Sequence, residues 1–374
     1  MATLNEYLGV EMITSDAVIR RWAVADAVYV GRFTRDITEW DDGSYGNSVV
    51  ALGMVSYFSL FVHESQSKLS IIDPNLVSVL SPKAKGIVAR SRHSLKLFED
   101  RKRGISGQLA YYDDVLLPAH RSRFRGKWWF SPARIFGNDL GFSLYGRRVV
   151  GSTVTTTFHM GAEASDTLSV DNGKFLADLY AEYGEYFAKL GARLGGPSTF
   201  VASLEDSAFS SRDLRCVPYH RHVFNGSTTP TLNALLTTFR AMMNFVSLVL
   251  TAGGDTSEYT VFKIRFLTLY QILVSLDALV ADQTQDLTPK SVAAIKEIVD
   301  DPTARLITDI GVKPFRNSLM HYLDPRVDVS KLDFGKPLFG LTSIYFPQYD
   351  FPTFSALIDA CIAQTADALD AWAE

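Results

Sequence analysis

The chain has 374 residues, of which 47% are hydrophobic and 21% charged, with a formal charge of −4. This composition excludes disordered and fibrous classes, and the slight net acidity excludes a surface that is basic throughout. Two cysteines, Cys216 and Cys361, are too few for a disulfide framework or a cysteine-rich zinc site.

A reducing compartment and a buried Cys361 are therefore expected. The first residues carry neither the basic nor the apolar segment of a signal peptide. The apolar run Val49–Val62 is shorter than the roughly 20 residues that span a bilayer. The expectation is a soluble, cytoplasmic, mainly α protein without a membrane partner.

In chain order, Val18, Trp22, Ala25, Tyr29 and Phe33 recur every three or four residues and predict a helix from Asp16 to Ile37. The Asp41-Asp42-Gly43-Ser44 cluster ends it. A second helix is predicted over Asn47–Lys68 and a third over Lys83–Arg103. Between Lys83 and Arg134 stand thirteen Lys and Arg against four Asp and Glu, a net +9 in a chain of −4. Arg121, Arg123, Arg125 and Lys127, followed by Trp128 and Trp129, make this the candidate RNA-binding surface. The alternative is a solvated helix face beside core tryptophans.

From Ile135 to Met160 the helical period is lost. Val149, Val150, Thr153, Val154 and the run Thr155-Thr156-Thr157-Phe158, β-branched or aromatic, predict one or two short strands, as in a hairpin, near 145–160. A helix over Asp171–Leu194 follows. Ser203–Thr229 is polar and irregular, and a domain boundary is placed near residue 226. The prediction is a helical domain with a small β element over 1–225 and a helical bundle over 226–374.

Beyond the boundary, Pro230 opens a helix that Gly253-Gly254 stops. Tyr259, Phe262, Phe266, Leu269, Leu273, Leu276 and Val280 follow with the 3–4 spacing of packed helices. The two form an antiparallel hairpin. Thr288 caps a shorter helix whose first residue is Pro289. Residues 330–352 read as extended, and a closing helix carries Phe354, Ile358, Cys361 and Trp372.

Arg316-Asn317-Ser318-Leu319-Met320-His321-Tyr322 holds the candidate chemistry. Pro314 suits a first helical turn, where backbone N–H groups and the helix dipole favour an anion. Arg316 adds a bidentate phosphate clamp. Histidine transfers protons near neutrality, and arginine stabilises charge developing on phosphorus. Together they suit metal-independent RNA cleavage. Five residues apart on a helix, the two side chains diverge by about 140°, so a site shared by two chains is expected. Neither a cofactor nor a metal is called for. His220 and His222 near Cys216 complete no ligand set. A second Arg-x4-His spacing, Arg215 to His220, contains Pro218 in what reads as a loop.

Arg316-Asn317-x3-His321-Tyr322 behind two long antiparallel helices resembles the HEPN superfamily. The resemblance covers residues 229–374. It implies a dimerising helical bundle that in many members cuts RNA in toxin, abortive-infection or antiviral defence systems. It also implies Arg316 and His321 as catalytic residues, Asn317 as the polar neighbour, and a homodimer formed through the C-terminal region. Asp277 or Ser275 would be the assisting polar residue on a preceding helix. Partners implied are RNA and an antitoxin or regulatory protein. The competing reading is a non-catalytic helical module binding RNA, nucleotide or a protein, with Arg316 ion-paired to Asp309 and His321 a satisfied helix residue.

Overall fold

The computed structural model describes residues 13–40, 43–72, 80–97, 104–125, 138–160, 172–226, 229–254, 258–282, 285 and 287–374. Helix α1 spans Ser15–Glu39, α2 Tyr45–Ile72 and α3 Pro82–Leu97. Helices α4 (Gly104–Tyr111) and α5 (Leu117–Arg125) are joined by a π-helical turn. Strands β1 (Leu140–Tyr145) and β2 (Arg148–Ser152) lead into α6 (Thr153–Met160), followed by α7 (Asn172–Lys189). Strand β3 (Phe209–Leu214) precedes α8 (Cys216–His222) and α9 (Pro230–Asn244). The remaining helices are α10 (Tyr259–Ala281), α11 (Pro289–Val299), α12 (Pro302–Thr308), α13 (Lys313–His321), α14 (Leu341–Tyr345) and α15 (Phe351–Ala373).

The fold is mainly helical, as its periodicity predicts. Helix starts are written in the sequence. Thr229 accepts from the Leu232 amide and Thr288 from the Ser291 amide, and each is followed by proline in the first turn.

The β-branched run 153–158 does not form the expected strand. Ser152 Oγ accepts the Thr155 amide at 3.0 Å and Thr157 Oγ1 bonds the Thr153 carbonyl at 2.7 Å, so the hydroxyls serve a helix. Val154 and Phe158, four apart, then share its buried face. The hairpin lies just before it, at β1–β2. Its two-residue turn has positive φ at both Gly146 and Arg147, the handedness that suits the strand twist.

Strand β3 pairs antiparallel with β1, giving the order β2-β1-β3. Only Phe209 of β3 is buried, so its sequence lacks the alternation that reveals strands. Residues 330–352 are not extended. They form 3₁₀ turns and α14, with Leu338 and Phe339 in left-handed conformation. Pro218 does not prevent α8 from being a helix, because it lies in the first turn. Cys361 is buried on α15 as expected. Of the basic stretch, Arg121 is partly buried on α5. The side chains of Arg123 and Arg125, and all of Lys127, lie outside the described residues.

One buried cluster of apolar side chains runs through both halves of the chain. Helix α10 lies at its centre, buried on every face from Thr260 to Leu273. It touches α1, α4, α9, α11, α12, α13 and α15. At the crossing of α2 and the π-helical turn after α9, Gly53 permits close approach; a Cβ there would stand 2.4 Å from the Phe245 ring. The run Val49–Val62 belongs to a 28-residue helix. Three helices, Tyr45–Ile72, Pro230–Val249 and Tyr259–Ala281, are long and apolar enough to cross a membrane. Most of their apolar windows are buried against the rest of the protein.

Candidate active site

Helix α13 is fixed in rotation by its apolar residues. Phe315 sits edge-on to Phe266, Phe346 and Phe354, and Leu319 four residues on is fully buried. That rotation sends His321 toward α2 and Arg316 toward α10. The helix ends at His321 because Tyr322 adopts a left-handed conformation, φ 63° and ψ −10°. A tyrosine there is strained, and its hydroxyl is tied down: it donates to Asp26 Oδ2 at 2.8 Å. Asp26 also accepts from Thr260 Oγ1 at 2.9 Å and from the Lys263 ammonium at 2.6 Å. Lys263 further lies 4.2 Å from the Tyr322 ring centre and 4.4 Å from that of Phe61. This buried charge pair connects α1, α10 and the end of α13.

His321 Nδ1 meets Glu64 Oε2 on α2 at 2.8 Å. The other oxygen of Glu64 accepts from Arg92 Nε on α3 at 3.0 Å. The Glu64 side chain is 5% exposed, whereas His321 and Arg92 are 31% and 27% exposed. A buried carboxylate thus holds a guanidinium and an imidazole at the surface. Burial alone would raise the Glu64 acid, but hydrogen bonds and charge from His321 and Arg92 outweigh it and hold the group at about 2. Because Glu64 Oε2 engages Nδ1, Nε2 of His321 is left to act, and among the described residues it makes no hydrogen bond. His63, next to Glu64, is half-buried. Burial, then the Arg92 charge, lower its pKa, against the opposing pull of Glu64; His321 lowers it further.

The Glu64 carboxylate gives the first prediction. The folded protein releases this proton more readily than the unfolded chain. The stabilisation is fully present above the ordinary value of 4.5 and is lost as the pH falls to about 2. It amounts to roughly 3 kcal/mol. Glu64→Gln should remove this contribution, so that melting temperature falls less steeply between those two pH values. Parallel melting curves for Glu64→Gln and the parent chain would exclude it.

Arg316 occupies different surroundings from His321. It is 6% exposed. Its guanidinium lies 5.0 Å from the Tyr270 ring centre and donates to Asn317 Oδ1 at 2.7 Å. Asn317 Nδ2 in turn donates to Asp324 Oδ2 at 2.7 Å. Hydrogen bonds from the Arg326 side chain, aided by its amide and Asn317, hold Asp324 far below the usual carboxylate range. Asp309 spends Oδ1 on the Gly311 amide, capping the 3₁₀ turn before α13.

Asp277 lines a separate cleft with Asp300 and Asp309, and buried Ser275 accepts from Gln108. Among the described residues, no group of three or more His, Cys, Asp or Glu is arranged to hold a metal ion. His220 is buried with Nδ1 3.4 Å from Cys216 Sγ, and burial pushes its pKa down to about 3.

Sequence reasoning picked out His321 but missed His63, Glu64 and Arg92. The available signal was His63-Glu64 at the close of the apolar face of α2, where a carboxylate needs a partner. Comparison with family models, with curated proteins and with solved structures finds no match.

Proposed function

We propose that the chain is a metal-independent endoribonuclease of HEPN type, working in a cytoplasmic toxin or antiviral defence system. The observation that carries the catalytic part is the Glu64–His321 pair: a buried carboxylate orients a partly exposed imidazole through Nδ1 and leaves Nε2 for substrate. A carboxylate in this position orients the ring and stabilises the protonated form from which Nε2 gives up its proton. The imidazole then moves a proton while the ribose 2′-oxygen attacks phosphorus and the bond to the 5′-oxygen breaks. The products are a 2′,3′-cyclic phosphate and a free 5′-hydroxyl.

RNA is favoured over other phosphodiesters because this chemistry needs the 2′-hydroxyl. The defence role rests on the Arg316-Asn317-x3-His321-Tyr322 resemblance alone. Asn317 and Arg316 serve by holding the middle of α13 to Asp324 and Tyr270.

The test is incubation of purified protein with single-stranded RNA and transfer RNA in EDTA, with end-group analysis of the fragments. Cyclic phosphate ends are expected. Intact RNA throughout, or cleavage that appears only with added divalent metal, would overturn the assignment.

A further inference from the structure

We infer that the reaction centre is complete within one chain, with Arg92 binding the scissile phosphodiester and His63 acting as the second proton-transfer group opposite His321. This rests on the ribonuclease reading and specifies its machinery. The resemblance points instead to Arg316 and to a centre shared between chains.

Two arginines compete for the phosphate. Arg316 is almost entirely buried and stacked over Tyr270, and one guanidinium nitrogen is used on Asn317. An anion reaching it would have to displace this packing and be stripped of water. Arg92 is partly exposed and uses only Nε on Glu64. Its two terminal nitrogens make no hydrogen bond among the described residues. A guanidinium anchored at Nε presents that outer edge as a preset fork for phosphate oxygens. Arg92 and His321 also lie side by side, because they hold the two oxygens of one carboxylate.

Cleavage needs one group to take the 2′-hydroxyl proton and another to give a proton to the leaving 5′-oxygen. Among the described residues His63, the neighbour of Glu64 on α2, is coupled by charge to Glu64, to Arg92 on α3 and to His321 on α13. Its ring makes no hydrogen bond among the described residues. Burial and then the Arg92 charge lower its pKa, which favours the unprotonated ring a base needs. His321, oriented through Nδ1 by Glu64 and with Nε2 making no hydrogen bond among the described residues, suits the acid. In the step, His63 gains the 2′ proton, the new P–O2′ bond forms, the P–O5′ bond breaks, and His321 Nε2 protonates O5′. Exchange with water restores both rings.

Ring NMR of the histidines, with a 2′-O-methyl RNA oligonucleotide that cannot be cut, tests the arrangement independently of catalysis. The His63 and His321 signals should both move on binding. Arg92→Gln, which retains an N–H for Glu64 but loses the guanidinium edge, should weaken binding at least about tenfold. A stationary His63 signal, or unchanged affinity in Arg92→Gln, overturns the inference. Movement of both signals in a chain that never cuts RNA would support this binding centre and sink the ribonuclease reading. Mixing His321→Asn with Arg92→Gln tests the single-chain claim: absence of restored cleavage supports it, and restored cleavage overturns it.

Discussion

His321→Asn is expected to lower RNA cleavage by a factor on the order of 10²–10⁴ while leaving the folded protein intact. The choice of asparagine follows from the geometry. His321 Nδ1 lies 2.8 Å from a Glu64 carboxylate that is 5% exposed. The amide nitrogen of asparagine occupies nearly the position of Nδ1, so Glu64 keeps two donors and only the proton-transferring nitrogen is lost.

His321→Ala differs, because it leaves a buried carboxylate on Arg92 alone. It should cost roughly 1–3 kcal/mol of stability as well as the activity. Cleavage rates and denaturant unfolding of the two variants therefore separate chemistry from structure. If His321→Asn cleaves at the parental rate, the imidazole is not in the reaction. If it unfolds as readily as His321→Ala, the bond to Glu64 was not the one the asparagine preserves.

Much of the helical architecture could be read in advance because it rests on local rules. Thr229-Pro230 and Thr288-Pro289 are cap and first-turn pairs, and the aromatic spacing from Tyr259 to Val280 belongs to one helix. The run 153–158 misled because threonine serves two roles. Its branching favours strands, yet here Ser152 caps the helix and the Thr157 hydroxyl bonds back to the Thr153 carbonyl within it. Strand β3 was hidden because an exposed edge carries almost no apolar signal.

The candidate site was legible only in part, for a deeper reason. The α13 motif is continuous in sequence. Glu64 lies 257 residues from His321, and Arg92 lies on a third helix. No period or spacing brings such positions together; packing does. The local sign was a charge within an apolar stripe. Asp26 stands between Trp22 and Tyr29, and Lys263 between Phe262 and Phe266, and each predicts a buried partner without naming it.

Asp26→Ala is expected to be among the most damaging substitutions, costing about 3–5 kcal/mol at neutral pH. Asp26 and Lys263 are both fully buried at 2.6 Å. Removing the carboxylate leaves an ammonium without its counter-charge and takes an acceptor from Tyr322 and Thr260. The pH dependence has a definite sign. Burial lowers the Lys263 pKa and Asp26 opposes that effect. Without Asp26 the folded pKa falls further, so the unfolded chain holds more protons than the folded one. Stability of Asp26→Ala should then rise with pH until the unfolded lysine titrates near 10.4.

Adding Lys263→Met should recover most of the loss by removing the charge. Denaturant unfolding at pH 7 and pH 9 measures both effects. A loss below about 1 kcal/mol, or no recovery in the double variant, would show that the pair does not carry this load. The recovered variant then isolates the role of the pair in the site. Tyr322 remains in its strained left-handed conformation directly after His321, now without the Asp26 acceptor. Cleavage should remain depressed after stability returns, because the turn that aims His321 at Glu64 has lost its anchor.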